Sequence, residues 1–160
     1  VVWLVLSLLY ASKWLWARAE AQAEFKNPVL CCFVGLVPVS TLLVALAIAP
    51  YDRILAVALF MVGAIGQLSF SVYRSGQLWM GGRKSETTTP VLYLTTVAGG
   101  FVGTIAASAF GYREWGALLY GSGLFSWFAL ESSIMQRLYL LEALPKPLRP
   151  TLGVGTLTLY

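Results

Sequence analysis

Small and hydroxyl-bearing residues form two neighbouring stripes along residues 90–111, a stretch without any charge. Because residues four apart share a helix face, the first stripe holds Gly99, Gly103 and Ala107. The second stripe holds Thr96, Gly100, Thr104 and Ser108. In a membrane, such a surface either lets helices approach closely or lines a path for a solute. Close packing explains any single glycine, whereas two adjacent stripes with three hydroxyls favour a lining.

A proline interrupts an earlier apolar run in a comparable place. Pro38 has Gly35 and Thr41 near it, and a proline inside a membrane helix kinks the helix and frees a carbonyl. Pro38, residues 99–100 and Thr156 each lie roughly ten residues into a run, which is about 15 Å along a helix. Since the hydrocarbon layer is about 30 Å thick, we expect all of them near the membrane midplane, where transporters and channels bind solutes.

Glu131 is the one carboxylate well inside an apolar run. It precedes Arg137 by six residues, or about 9 Å of helix, which predicts an inner vestibule position. A structural partner such as Arg74, Arg137 or a backbone amide is one interpretation. A role in proton coupling is the other.

The composition predicts an integral membrane protein. Hydrophobic residues make up 58%, charged residues 11%, and the mean hydropathy is +0.74, far from the usage of soluble domains. The sequence contains no histidine and no cluster of metal ligands, and it shows no nucleophile with a base in reach. We therefore expect no enzyme activity, no metal and no cofactor.

The apolar runs have the length of membrane helices, for which about 20 residues suffice. Four whole spans are predicted at residues 28–51, 54–73, 87–112 and 115–136, and partial spans at 1–12 and 152–160. Asn27 before Pro28 and Thr89 before Pro90 are typical helix starts, with a capping side chain followed by proline. The fold class is thus an all-α, polytopic helix bundle built from hairpins. Because the chain begins and ends inside apolar runs, we expect it to be the interior of a longer protein.

Basic residues are distributed unevenly among the connections. Nine of the 11 lie at or near residues 18–27, 74–89 and 137–149, and only Arg53 and Arg113 lie in the other two connections. The positive-inside rule then predicts that the first three connections are cytoplasmic in a cell inner (plasma) membrane. Anionic lipid explains this basic rim without any nucleic acid partner.

Four runs of the sequence resemble one family over essentially the whole chain: NPVLCCFVGLVPVSTLLVALA, GAIGQLSFSVYRSGQLW, TTPVLYLTTVAGGF and GLFSWFALESSIMQRL. They are similar to the second to seventh helices of the TehA-type tellurite-resistance and dicarboxylate transporters. That family includes the slow anion channels of plant guard cells.

The resemblance implies a ten-helix fold of five hairpins around a central pore, assembled as a homotrimer, with residues 1–160 as an incomplete single transmembrane domain. It makes the second, fourth and sixth spans of this chain pore helices. The chain departs from the family at Thr95, Ser132 and Thr158, where prolines are expected. Residues 99–100 replace a small residue and an asparagine.

The function expected from these features is passive permeation of small anions, stabilised by hydroxyl donors and by the positive ends of helices. The inferred pore spans contain no lysine or arginine, so bound ions would leave readily. The alternative is a secondary transporter or exporter of dicarboxylates or tellurite oxyanions, with protons coupled through Glu131. A purely structural membrane subunit is the third interpretation. The expected lining residues are Gly35, Pro38, Thr41, Thr96, Gly99, Gly100, Gly103, Thr104 and Thr156.

Overall fold

A computed structural model describes residues 2–27, 29–80 and 88–140, together with Arg149 and Gly153. Within these residues the secondary structure is helical: α1 Val2–Trp16, α2 Arg18–Lys26, α3 Leu30–Val34, α4 Leu36–Ile48, α5 Arg53–Trp79, a 3₁₀ turn Pro90–Leu92, α6 Tyr93–Ala109 and α7 Arg113–Leu140. The all-α prediction is confirmed.

Three helical segments of the described chain are long and apolar enough to cross a membrane. They are Leu30–Ile48, Arg53–Leu78 and Pro90–Ala109. Helix α7 has 28 residues, about 42 Å at the helical rise, so it is long enough to cross, although it is less apolar than the other three. Helix α1 is a shorter apolar helix, in agreement with the partial span predicted at the start.

The helix starts follow local chemistry. The Asn27 Oδ1 accepts hydrogen bonds from the amides of Val29 and Leu30 at 2.9 and 3.1 Å, which confirms its predicted role as a cap. Asp52 caps α5 in the same way. The prediction for Thr89 was wrong, because its side chain makes no cap hydrogen bond. The chain enters α6 through the 3₁₀ turn, in which the Thr89 carbonyl accepts from the Leu92 amide at 3.0 Å.

Pro38 divides the first of these segments into two helices. The ring of a proline collides with the carbonyl four residues earlier, which here belongs to Val34. Val34 is the last residue of α3, and Gly35 separates α3 from α4. The predicted interruption is therefore observed, one turn before the proline itself.

Helix α6 lies in the centre of the bundle, in contact with α4, α5 and α7. One core cluster joins α4, α5 and α6: Leu42, Ala45, Ala56, Phe60, Ala106, Ala107 and Phe110. A second cluster joins α3, α6 and α7: Cys32, Val91, Leu92, Tyr93, Val97 and Ile134. Apolar side chains such as Val62, Ile65, Leu118 and Phe125 are exposed on the outer faces, as suits contact with lipid.

Two antiparallel hairpins, α4–α5 and α6–α7, are closed by tight connections. At the end of α6 the Tyr112 amide donates to the Ala107 carbonyl at 2.8 Å, and the Gly111 amide donates to the Ser108 carbonyl at 3.1 Å. This is the hydrogen-bond pattern of a Schellman turn, which needs a left-handed residue after the helix. Gly111 supplies it with φ +94°.

Candidate functional site

The two glycines in the middle of α6 face different neighbours. A Cβ built on Gly99 would overlap Nε2 of Gln67 on α5. A Cβ built on Gly100 would lie 2.8 Å from the Cα of Gly123 on α7. Both positions are buried, so within this chain the absence of a side chain brings α6 against α5 and α7.

The same close contact continues along the α6–α7 hairpin. A Cβ on Gly103 would meet Cδ1 of Leu119 at 3.2 Å, and a Cβ on Gly116 would meet Oγ of Ser108 at 2.6 Å. The Thr104 hydroxyl donates to the Gly100 carbonyl at 2.9 Å, so its proton is used within α6. Gly100 and Ser108 of the second predicted stripe therefore lie at the crossing with α7, together with Gly103 of the first stripe.

The residues around Pro38 face α5. A Cβ on Gly35 would lie 2.5 Å from Cε1 of Phe70, and a Cβ on Gly66 would lie 3.3 Å from Cβ of Pro38. The Thr41 hydroxyl donates to the Val37 carbonyl at 2.8 Å within α4.

The expected common depth of Pro38 and Gly99 agrees with these contacts. Pro38 meets Gly66 and Gly99 meets Gln67, and Gly66 and Gln67 are consecutive residues of α5. Pro38 and Gly99 therefore lie at one level of the bundle. Thr156, the third position expected at this level from the sequence, and Thr158 lie outside the described residues. That these residues line a pore stays a prediction.

Thr96, Gly99 and Gly100 come together in a pocket of about 70 Å³ between α5, α6 and α7. Thr96 is 8% exposed, and its Oγ1 has no hydrogen-bond partner among the described residues. The pocket is lined by Gln67, Leu68, Ser71, Ser75, Thr96, Gly99, Gly100, Leu119, Ser122 and Ser126. All of its polar groups are hydroxyls or a carboxamide, and none of the lining residues carries a charge.

Four serines of this pocket were not among the residues selected from the sequence. Ser71 and Ser75 are four apart on α5, and Ser122 and Ser126 are four apart on α7. Each pair places two hydroxyl groups on one face of its helix, a signal that the sequence does carry. In addition, the Gln67 amide donates to the Ser71 hydroxyl at 3.1 Å.

Glu131 has a structural partner, although not one of those expected. The hydroxyl of Tyr93 on α6 donates to Oε2 of Glu131 on α7. Tyr93 is 2% exposed and Glu131 is half-buried, so the contact ties the two helices together at the edge of the second core cluster. Arg74 and Arg137, the arginines considered as partners, are both buried. Arg74 instead contacts Sγ of Cys32 at 3.6 Å.

The model of the SLAC1 family, described as voltage-dependent anion channel, matches residues 1–155. The chain belongs to this family. It is 34% identical over 154 residues to the tellurite resistance protein TehA homolog of Haemophilus influenzae, covering 96% of this chain and 47% of that relative. It is 30% identical over 154 residues to the S-type anion channel SLAH2 of Arabidopsis thaliana, covering 92% of this chain and 29% of that relative.

The family resemblance inferred from the four sequence runs is thus confirmed. The chain spans less than half the length of the two relatives it matches. Membership of the SLAC1 family agrees with the three apolar helices of membrane-spanning length among the described residues, as expected of a membrane protein.

Proposed function

We propose that the protein is a channel that conducts small anions across the membrane. Membership of the SLAC1 family supports anions as the permeating species. The apolar runs 30–48, 54–73 and 90–109 contain no lysine or arginine, so no fixed charge in them would hold an anion tightly. Conduction requires an ion to leave as readily as it enters, which weak neutral contacts allow.

The observation that carries the channel over a proton-coupled carrier is the contact between Tyr93 and Glu131. A carboxylate that couples protons to transport has to exchange its proton between the two sides of the membrane. Glu131 instead accepts a hydrogen bond from a tyrosine that is itself buried in the second core cluster. Held in this way, the carboxylate joins α6 to α7.

Two of the predicted lining residues, Pro38 and Gly99, support this proposal through their common depth. Pro38 is half-buried at the level where Gly99 meets Gln67, so the break in the first hairpin and the bare part of α6 coincide. At this level α6 carries glycine, so few side-chain atoms lie there. We expect the narrowest part of an anion path at the same level. We further propose a homotrimer in the plasma membrane, with the connections near residues 18–27, 74–89 and 137–149 on the cytoplasmic side.

A transporter or exporter of dicarboxylates or tellurite oxyanions is the second candidate. The observation that favours it is the 34% identity to a protein named for tellurite resistance. The two candidates make different predictions about protons.

Recording from the full-length protein in planar bilayers separates these candidates. We expect unitary currents that reverse at the equilibrium potential of the anion and that a pH gradient does not drive. The Glu131→Gln variant should change the current modestly, because it removes the titratable carboxylate and keeps an oxygen that can accept from Tyr93. Tyr93→Phe is its counterpart, because it removes the hydrogen bond and keeps the carboxylate. Proton-driven flux that Glu131→Gln abolishes and Tyr93→Phe preserves would refute the channel and support the carrier.

A further inference from the structure

Two serine stripes face each other across the space between α5 and α7, with α6 beneath them. The enclosed pocket of about 70 Å³ has a shallower neighbour of about 420 Å³. The two share Leu68, Ser71, Ser75 and Ser122. Together they form one cleft, which we call the serine cleft, with Gly76 at the shallow part and Thr96 and Gly99 at the enclosed part.

The serine cleft extends deep into the bundle. From Leu78, where the apolar segment of α5 ends, to Gln67 there are 11 residues. At the helical rise this is about 16 Å, or half of the hydrocarbon thickness. The cleft therefore extends along α5 from Gly76, near the C-terminal end of the helix, to Gln67, at the level shared by Pro38 and Gly99.

Thr96 places a buried hydroxyl at the enclosed part of the cleft. Thr96 is more than nine-tenths buried, it lines the pocket, and its Oγ1 has no hydrogen-bond partner in the described protein. Burying a hydroxyl without a partner costs free energy, and in native proteins such groups are satisfied by protein or by ordered water.

The chemistry of the lining indicates which ligand fits. No lysine, arginine or carboxylate lines either part of the cleft, so nothing there compensates a charged ligand. A lipid chain offers no hydrogen bonds to the hydroxyl groups of Ser75, Ser122 and Thr96. The enclosed volume exceeds the roughly 10–15 Å³ of probe-occupied space that one water needs, and several polar groups converge on it.

We propose that the serine cleft is a water-filled crevice that enters the bundle from the C-terminal end of α5 and ends at ordered water bound to Thr96. This inference does not depend on the ion that the protein conducts. It assigns a hydrated region to the side of α6 that faces α5 and α7.

Thiol accessibility tests the crevice directly. In the full-length protein, with Cys31 and Cys32 replaced by alanine, single cysteines are introduced at Ser75 and Ser122 and treated in membranes with a charged methanethiosulfonate reagent. The matched controls are Ile65→Cys and Leu118→Cys, which are exposed apolar positions on the outer faces of the same two helices. Because the reagent is charged and reacts with thiolate, only thiols in contact with water react quickly.

We expect the cysteines at Ser75 and Ser122 to react at least tenfold faster than both controls. If they react as slowly as the cysteines at Ile65 and Leu118, then lipid or another protein segment fills the cleft, and the proposal is overturned. The result is independent of whether the protein conducts ions, so a failed channel assignment and a failed crevice are distinguishable.

The Thr96→Val variant tests the water at the enclosed end, because valine keeps the shape and removes the hydroxyl. If water binds the hydroxyl, the variant loses a satisfied hydrogen bond, and the Tm should fall by about 2–4 °C. If the pocket is dry, valine removes a buried hydroxyl that has no hydrogen-bond partner, so the Tm should rise. A rise would overturn the assignment of water at Thr96.

Discussion

Substituting alanine for Gly100 tests the α6–α7 crossing most directly. The new Cβ would lie 2.8 Å from the Cα of Gly123, 3.1 Å from its amide nitrogen and 3.2 Å from the Leu119 carbonyl oxygen. Ordinary van der Waals contacts of a Cβ begin at 3.4 Å. All three neighbours are backbone atoms, so relief requires the whole of α7 to move away from α6.

The magnitude follows from two opposing terms. Alanine is favoured over glycine inside a helix by about 0.8–1.0 kcal/mol. Overfilling a well-packed contact costs about 1–3 kcal/mol. Gly121→Ala on α7 is the matched control, because a Cβ there meets nothing within 4 Å and gains only the helix term. The difference between the two variants then isolates the overfilling, about 1–3 kcal/mol.

Thermal unfolding of the purified variants in detergent, followed by tryptophan fluorescence, measures this difference. For a domain of this size each kcal/mol corresponds to about 2–4 °C in Tm. We expect the Tm of Gly100→Ala to lie at least about 2 °C below that of Gly121→Ala, and the Tm of Gly100→Leu to be lower still. Equal melting temperatures for the two alanine variants would refute the close crossing. Gly100 would then face open space, as expected of a pore-lining residue.

Two further predictions concern the helix ends. Asp52 Oδ1 accepts from the amides of Ile54 and Leu55 at 3.0 Å each, so Asp52→Ala should destabilise the protein by about 1 kcal/mol, and Asp52→Asn should melt close to the parent. An equal loss in both variants would contradict the cap. Gly111 has φ +94°, so Gly111→Ala should cost about 1–2 kcal/mol, whereas Gly111→Asn should cost less, because asparagine tolerates the left-handed region. Thermal unfolding measures the effect of each substitution. If Gly111→Ala and Gly111→Asn have the same Tm, the left-handed turn is contradicted.

Several features of this protein are determined by residues close together in the chain, and these could be predicted. Apolar runs of membrane length predicted the helices, because burying backbone in lipid requires continuous internal hydrogen bonding. Asn27 caps through its own neighbours, and Pro38 ends α3 because its ring collides with a carbonyl four residues away. Family membership was also predictable, since runs of similar sequence cover the whole chain.

Only the tertiary structure decided which surface each helix face meets. Periodicity placed Gly99 and Gly100 on neighbouring stripes, but it contained no information that Gln67 lies beside one and Gly123 beside the other. The partner of Glu131 is the tyrosine Tyr93, whereas the partners expected from the sequence were Arg74, Arg137 or a backbone amide.

The serine cleft is a second feature that could not be predicted from the sequence. Ser71 and Ser75 are about 50 residues from Ser122 and Ser126, and each pair alone is an unremarkable polar stripe on its helix. The two stripes converge because both helices pack closely against α6. Gly100 of α6 contacts Gly123 of α7, and Gly99 of α6 contacts Gln67 of α5. Helix spacing states which residues share a face, and packing between helices determines which faces enclose a site.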